Sequence, residues 1–260
     1  MNGSSQQNIP RTSNRNILGR EQYNPLILFL KSILFFVLYN LMGIVHSTIS
    51  LLVAPVQTFE QRFRFVNHWT RASLWLLRHL NGVHIEVSGI ENIPRDQSVV
   101  IMSNHQSQLE TFYLQLLIAP QATILKRELL WVPFFGWALA LLKPIAINRK
   151  QRASALKTVV RVGTDRLENG INVVIFPEGT RQPPGTIGTF NAGGAMLATQ
   201  SGSAILPVVH NSGDCWPARS IKRYPGTVRF IIGEPIDPQG KSTKQLNKEA
   251  SEWIRAHYPD

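Results

Sequence analysis

The rhythm of hydrophobic and polar positions divides the chain. Residues 1–25 are polar and hold Arg11, Arg15 and Arg20, which predicts a flexible basic tail. From Leu26 to Val56 the chain is dominated by Leu, Ile, Val and Phe, and Ser32 to Ala54 carries no charged residue. That run is long enough to cross a bilayer as a helix. In residues 59–81, Phe63, Trp69, Trp75, Leu77 and Leu80 alternate with Arg62, Arg64, Arg71 and Arg78. This mixture predicts a second, interfacial helix, with basic groups at lipid phosphates and tryptophans at headgroup level. Both flanks of the apolar run are basic, so loop charge alone does not orient it. A hairpin dipping into one leaflet, with both ends cytoplasmic, satisfies both flanks.

After Asn81-Gly82 the repeat shortens. Strands are predicted at 84–87, 97–102, 122–125, 143–147, 172–176, 204–209 and 227–232, and helices at 152–167, 195–199 and 244–257. Strands alternating with helices predict an α/β fold, a mixed, mostly parallel sheet flanked by helices. It is preceded by an N-terminal membrane-associated helical hairpin over 26–81. No linker interrupts 82–260, which reads as one domain. Gly188, Gly193 and Gly194 lack a phosphate-loop pattern and read as helix–sheet packing; Lys222-Arg223 reads as a solvated turn.

Lys and Arg number 27 against 16 for Asp and Glu, a net charge of +11. Such an excess favours anionic partners. The long apolar run and the lack of a nucleic-acid-binding motif argue against nucleic acid and for an anionic membrane surface. The single Cys215 excludes an intramolecular disulfide and a cysteine metal cluster, and the remaining histidines have no metal-ligand spacing, so no metal is expected.

The chemistry concentrates after two apolar strands. Val99 to Met102 is followed by Ser-Asn-His-Gln-Ser-Gln-Leu-Glu at 103–110. Residues five apart in one helix point in different directions. His105 and Glu110 therefore meet only if His105 precedes the helix. Ser107-x-x-Glu110 has the form of a capping box, which would start the helix near Ser107 and leave His105 in the turn before it. Glu110 then has two open roles, capping the helix or holding the His105 ring. The second strand, 172–176, runs into Pro177-Glu178-Gly179-Thr180-Arg181. Gly179 permits a sharp turn or a close ligand approach, and Arg181 can grip a phosphate with parallel donors. Glu178 could accept from a substrate hydroxyl or fix Arg181.

Asn104-His105-x-Ser107-x-x-Glu110 together with Phe176-Pro177-Glu178-Gly179-Thr180-Arg181 resembles the glycerolipid acyltransferase superfamily, most closely its 1-acylglycerol-3-phosphate acyltransferases. Lys126-Arg127-Glu128-Leu129 with Val132-Pro133-Phe134-Phe135-Gly136-Trp137, then Ile145 to Arg149, then Ile205 to Val208, resemble further blocks in the same order. The match spans roughly 85–235. The chain departs from the pattern where Glu110 stands in place of the family's usual Asp, and Asn148 holds a position that is often Asp in relatives.

The resemblance implies transfer of an acyl group from acyl-CoA or acyl carrier protein to the sn-2 hydroxyl of lysophosphatidic acid, with no further cofactor. It implies catalytic roles for His105 as base and Glu110 as its orienting acid. It implies substrate-binding roles for Asn104, Ser107, Lys126, Arg149, Glu178, Gly179, Thr180 and Arg181, the arginines taking the phosphate. Backbone N–H groups near Ser107 are candidates for an oxyanion site. The expected place is the cytoplasmic side of the inner membrane. Another lysolipid acceptor, such as a lyso-ornithine lipid, is a rival reading, as is a non-enzymatic basic membrane-binding protein. A serine hydrolase is disfavoured because no G-x-S-x-G elbow is present.

Overall fold

The structure, a computed structural model, describes residues 23–259; the basic tail therefore falls almost wholly outside the described residues. The Asn24 side chain accepts from the N–H groups of Leu26 and Ile27, and Pro25 opens α1 (Pro25–Val53). Its 29 residues make a helix about 43 Å long. A 3₁₀ turn at Ala54–Val56 leads to a capping box between Thr58 and Gln61, which starts α2 (Phe59–Asn81). Gly82, at φ +68°, closes α2 in the left-handed conformation. The two helices run antiparallel as the expected hairpin: Trp69 Nε1 donates to Tyr39 O at 3.3 Å, and His46 Nε2 meets Phe65 O at 2.8 Å.

The rest builds one seven-stranded sheet. In chain order its elements are β1 (Val83–Ser88), β2 (Val100–Ser103), α3 (Leu109–Leu117), β3 (Gln121–Lys126), α4 (Phe135–Ala140), β4 (Ile145–Ile147), α5 (Arg152–Glu168), β5 (Asn172–Ile175), α6 (Gly193–Ser201), β6 (Ile205–His210), α7 (Ser212–Cys215), β7 (Gly226–Ile232) and α8 (Thr243–Ala256). The strand order is β1-β7-β6-β2-β5-β3-β4. All pairs are parallel except β6 with β7. The sheet is thus mixed and mostly parallel, as the alternation predicted. Strands β6, β2, β5, β3 and β4 point the same way, and their carboxyl ends share one edge.

Strand alternation sends side chains to two cores. Val100, Met102, Val173 and Ile175 face Leu197 of α6 and Leu246 of α8. Ile101, Val174, Leu206 and Val208 face the other way, against Leu109 and Leu114 of α3, Trp69 and Leu77 of α2 and Phe35 of α1. The hairpin therefore completes the second core. Gly194 belongs to helix–sheet packing, as its sequence context suggests. A Cβ there would lie 2.8 Å from Ile175 and 3.0 Å from the Met102 sulfur.

Some boundaries differ from the sequence pattern. Strand β2 begins at Val100 rather than 97, because the Val99 N–H is taken by Asn172 Oδ1 at 2.9 Å. Helix α3 begins at Leu109, two residues beyond Ser107. Arg223 is not in a solvated turn: it is 5% exposed, its guanidinium 4.3 Å from the Trp216 ring centroid and 5.7 Å from that of Phe35. Its backbone N–H donates to Ser32 Oγ of α1 at 2.9 Å, and burial lowers its pKa to about 10. The aromatic box comes from distant parts of the chain, so the local sequence could not announce it.

Candidate active site

Strand β2 lies between β5 and β6, so the loops leaving the three meet at the carboxyl edge, where open α/β sheets bind ligands. His105 sits in the loop after β2. Its Nδ1 is 2.7 Å from Glu110 Oε1. An ionised carboxylate only accepts, so Nδ1 carries the proton and Nε2 presents its lone pair. The ring stacks on Phe176, centroids 4.2 Å apart and planes within 17°. Its side chain is 12% exposed, whereas that of Glu110 is wholly buried.

Glu110 holds the His105 ring and, in place of a cap on α3, closes the turn before that helix. Oε1 accepts from His105 and also from the backbone N–H groups of Gln106 (3.2 Å) and Ser107 (2.9 Å). Oε2 accepts from Ser212 Oγ at 2.6 Å. Burial disfavours the charge, but the hydrogen bonds from His105 and Ser212 favour it, and the carboxyl is lowered to about 2. The Ser107 hydroxyl accepts from Leu109 N–H, which finishes the turn into α3.

The second motif is stitched to the first. Gln182 N–H donates to His105 O at 2.7 Å, and Arg181 Nε donates to Ser107 O at 2.9 Å. Arg181 is thus fixed by a carbonyl of the histidine loop, not by Glu178. Gly179 adopts φ +70°, and its carbonyl accepts from Arg149 Nη1 at 2.7 Å across the edge from β4. Burial and the charge of Arg181 lower the Arg149 pKa, with Glu128 opposing. The histidine base and both guanidinium groups therefore occupy one edge, tied together through two carbonyls. Lys126, at the end of β3, is half-exposed and 3.9 Å from Glu128. Thr180 is exposed.

A family profile described as Acyltransferase matches residues 84–211. The chain is 44% identical over 229 residues to the 1-acyl-sn-glycerol-3-phosphate acyltransferase of Pseudomonas aeruginosa, covering 86% of this chain and 89% of that one. The chain belongs to the acyltransferase family. It is 32% identical over 172 residues to the human 1-acyl-sn-glycerol-3-phosphate acyltransferase alpha, spanning 65% of this chain and 61% of the relative. The crystal structure of the 1-acyl-sn-glycerophosphate (LPA) acyltransferase PlsC from Thermotoga maritima superposes with a TM-score of 0.73 at 26% identity, over 93% of this chain and 95% of that one.

Not every sequence-derived site residue of this acyltransferase faces the cleft. Asn104 is fully buried: its side chain donates to His210 O (2.9 Å) and accepts from His210 N–H (3.1 Å), clamping the end of β2 to the end of β6. Ser107 is likewise buried and spent on the helix start. The N–H groups of Gln106 and Ser107 are committed to Glu110, which removes them as oxyanion donors. Glu178 Oε1 accepts from His105 N–H at 3.4 Å, and burial pushes its carboxyl up to about 8 against bonds from the backbone of His105 and Gly188. Its Oε2 is buried with no hydrogen-bond partner among the described residues.

Several supports of the acyltransferase site carry no local signal in the sequence. Ser212 follows β6 and reaches Glu110 from 102 positions away. His210 is fully buried; it donates from Nε2 to Asn104 O (2.9 Å) and accepts at Nδ1 from Ser212 N–H (3.2 Å), so it is neutral, and burial lowers its pKa. Gln106 bonds Thr186 O (3.2 Å), Gly213 N–H (3.3 Å) and the Tyr258 hydroxyl (3.0 Å). The residue beside the histidine is thereby anchored to the chain's last segment.

Proposed function

We propose that the chain transfers a fatty acyl group from the thioester of acyl-CoA or acyl carrier protein to the sn-2 hydroxyl of 1-acylglycerol 3-phosphate, giving phosphatidic acid. The observation that carries this reading is the convergence of the His105–Glu110 pair with Arg149 and Arg181 on one edge of the sheet. The names of the relatives support the acceptor. An alcohol needs a base to attack at neutral pH. His105 Nε2 takes the hydroxyl proton as the oxygen attacks the thioester carbon. Glu110, held ionised by its buried donors, keeps the ring in the Nδ1–H tautomer and stabilises the imidazolium. The tetrahedral intermediate then collapses, and the same imidazolium returns the proton to the departing thiolate. No enzyme nucleophile is required, because the acceptor alcohol plays that part.

Arg181 and Arg149 bind the acceptor phosphate. The Nε of Arg181 is engaged by Ser107 O, and that bond ties the phosphate-binding loop to the loop bearing the base. Lys126 adds positive charge at the same edge. Asn104, Ser107 and Glu178 shape the loops, and Gly179 lends its carbonyl to Arg149. The enzyme works at the cytoplasmic face of the inner membrane, where its lipid substrates lie; the long apolar face of α1, with Leu30, Val37, Leu41 and Ile44 exposed, supports the membrane part of that reading. The test is acyl transfer to lysophosphatidate with each donor. His105→Ala is expected to lower kcat by about 10²–10⁴-fold while the protein stays folded. A folded variant retaining a large share of wild-type turnover removes His105 as the base.

A further inference from the structure

The segment between β3 and β4 exposes aromatic side chains that neither core uses. Trp131 is 67% exposed, Trp137 48% and Phe134 38%. Val132 and Leu129 are exposed beside them. Phe134 is a non-glycine residue at φ +60°, ψ −65°, and Phe135 N–H donates to Pro133 O at 2.7 Å. That is a γ-turn of the strained hand, costly for a bulky L-residue. The Phe134 ring it presents stays partly exposed beside Trp137, ring centroids 5.6 Å apart. The segment is also built rather than loose. A Cβ on Gly136 would come within 2.3 Å of Leu129 O and 2.8 Å of Leu130, so only glycine lets α4 close onto the 3₁₀ turn at Arg127–Trp131.

Two neighbours identify the occupant. Helix α4, which carries Trp137, packs against α1, so the aromatic tip continues the apolar face of the helix assigned to the membrane. At its other end the tip adjoins Lys126 and Arg127, and the Arg127 guanidinium lies 5.9 Å from the Trp131 ring centroid. Exposed tryptophans beside basic groups match the chemistry of an anionic bilayer interface.

We propose that residues 129–137 form a preorganised wedge that inserts into the interfacial layer of an anionic lipid bilayer. It sits where β3 delivers Lys126 to the site edge. The lysolipid thereby passes laterally from the leaflet to Lys126 and Arg149 without leaving the membrane. This rests on the membrane reading given above.

The test uses the full-length enzyme in phosphatidylglycerol–phosphatidylethanolamine vesicles containing chain-labelled spin-quencher lipids. Single sites are labelled with an environment-sensitive fluorophore through Phe134→Cys, Leu41→Cys in α1 and Lys244→Cys on α8. The expected result is quenching at 134 and 41 and none at 244. Quenching at 41 with none at 134 overturns the wedge and spares the α1 reading; no quenching at either overturns both. In the same vesicles, the triple variant W131S/F134S/W137S should raise the apparent KM for a long-chain lysolipid by at least about tenfold. The KM for a short-chain, monomeric lysolipid and the kcat should stay at wild-type values. If the triple variant instead raises only the KM for an acyl carrier protein donor, the surface docks a protein and the bilayer proposal falls.

Discussion

Replacing Ser212 by Ala tests whether the buried acid is held as the geometry describes. The hydroxyl donates to Glu110 Oε2 at 2.6 Å in a fully buried setting. A charge-assisted bond of this kind contributes about 1.5–3 kcal/mol. Its loss should raise the Glu110 pKa by roughly 1–2 units. From about 2, the carboxyl would still be ionised at neutral pH. Turnover at pH 7 should therefore fall modestly, by about tenfold or less, through a looser His105 ring. Stability gives the sharper signal. The folded pKa of Glu110 lies below its unfolded value, so the stability it contributes is complete above about pH 4.5 and is lost as pH falls towards 2. Equilibrium unfolding in mild detergent should show Ser212→Ala less stable by about 2 kcal/mol at pH 7. The gap should close as pH is lowered towards 2. An equal deficit across that range would assign the effect to packing, and no deficit at all would remove the bond from the account.

Arg181→Ala should raise the KM for a phosphorylated acceptor and also lower kcat, since Nε holds the Ser107 carbonyl beside the base; Arg181→Lys should recover part of the KM and little of the kcat. A change confined to the acyl-donor KM would move Arg181 to the other half of the site. Glu178 has a folded pKa raised to about 8, above its unfolded value, so wild-type stability falls as pH rises from about 4.5 to 8. Glu178→Gln should match wild type near pH 4 and melt progressively higher than it up to pH 8; parallel melting curves would show that the carboxyl does not take up a proton on folding. Tyr258→Phe removes the hydroxyl that meets Gln106 and Gly185 N–H, and should cost about 1–2 kcal/mol with kcat reduced and KM little changed. Unaltered turnover in that variant would uncouple the carboxyl terminus from the histidine loop.

What could be read along the chain was whatever depends on near neighbours. The mixed apolar and basic pattern of 59–81 and the apolar period of α5 are local, and those helices lie where the pattern puts them. The meeting of His105 and Glu110 was legible because it needs only five residues and a helix start between them. Ser212, His210 and Tyr258 were not, because each reaches the site across more than a hundred residues, and a serine or tyrosine in isolation has no signature. Asn104 stood inside a recognisable motif, yet its amide is spent on the β6 backbone, a use that only the strand order reveals. Arg223 misled for the same reason: a Lys-Arg pair after a turn predicts water, and the aromatic rings that receive it come from α1 and the segment after α7. The antiparallel pairing of β7 with β6 is equally a matter of long-range contact.

The seating of Phe35 under Trp216, with Ser32 gripping the backbone at Arg223, bears on how this enzyme can be handled. The greasy leading helix is a keystone as well as an anchor. Trimming it away to obtain a water-soluble fragment would take the Phe35 ring from one side of the Arg223 guanidinium, and would strip one wall from the chamber that seats α3, the helix carrying Glu110.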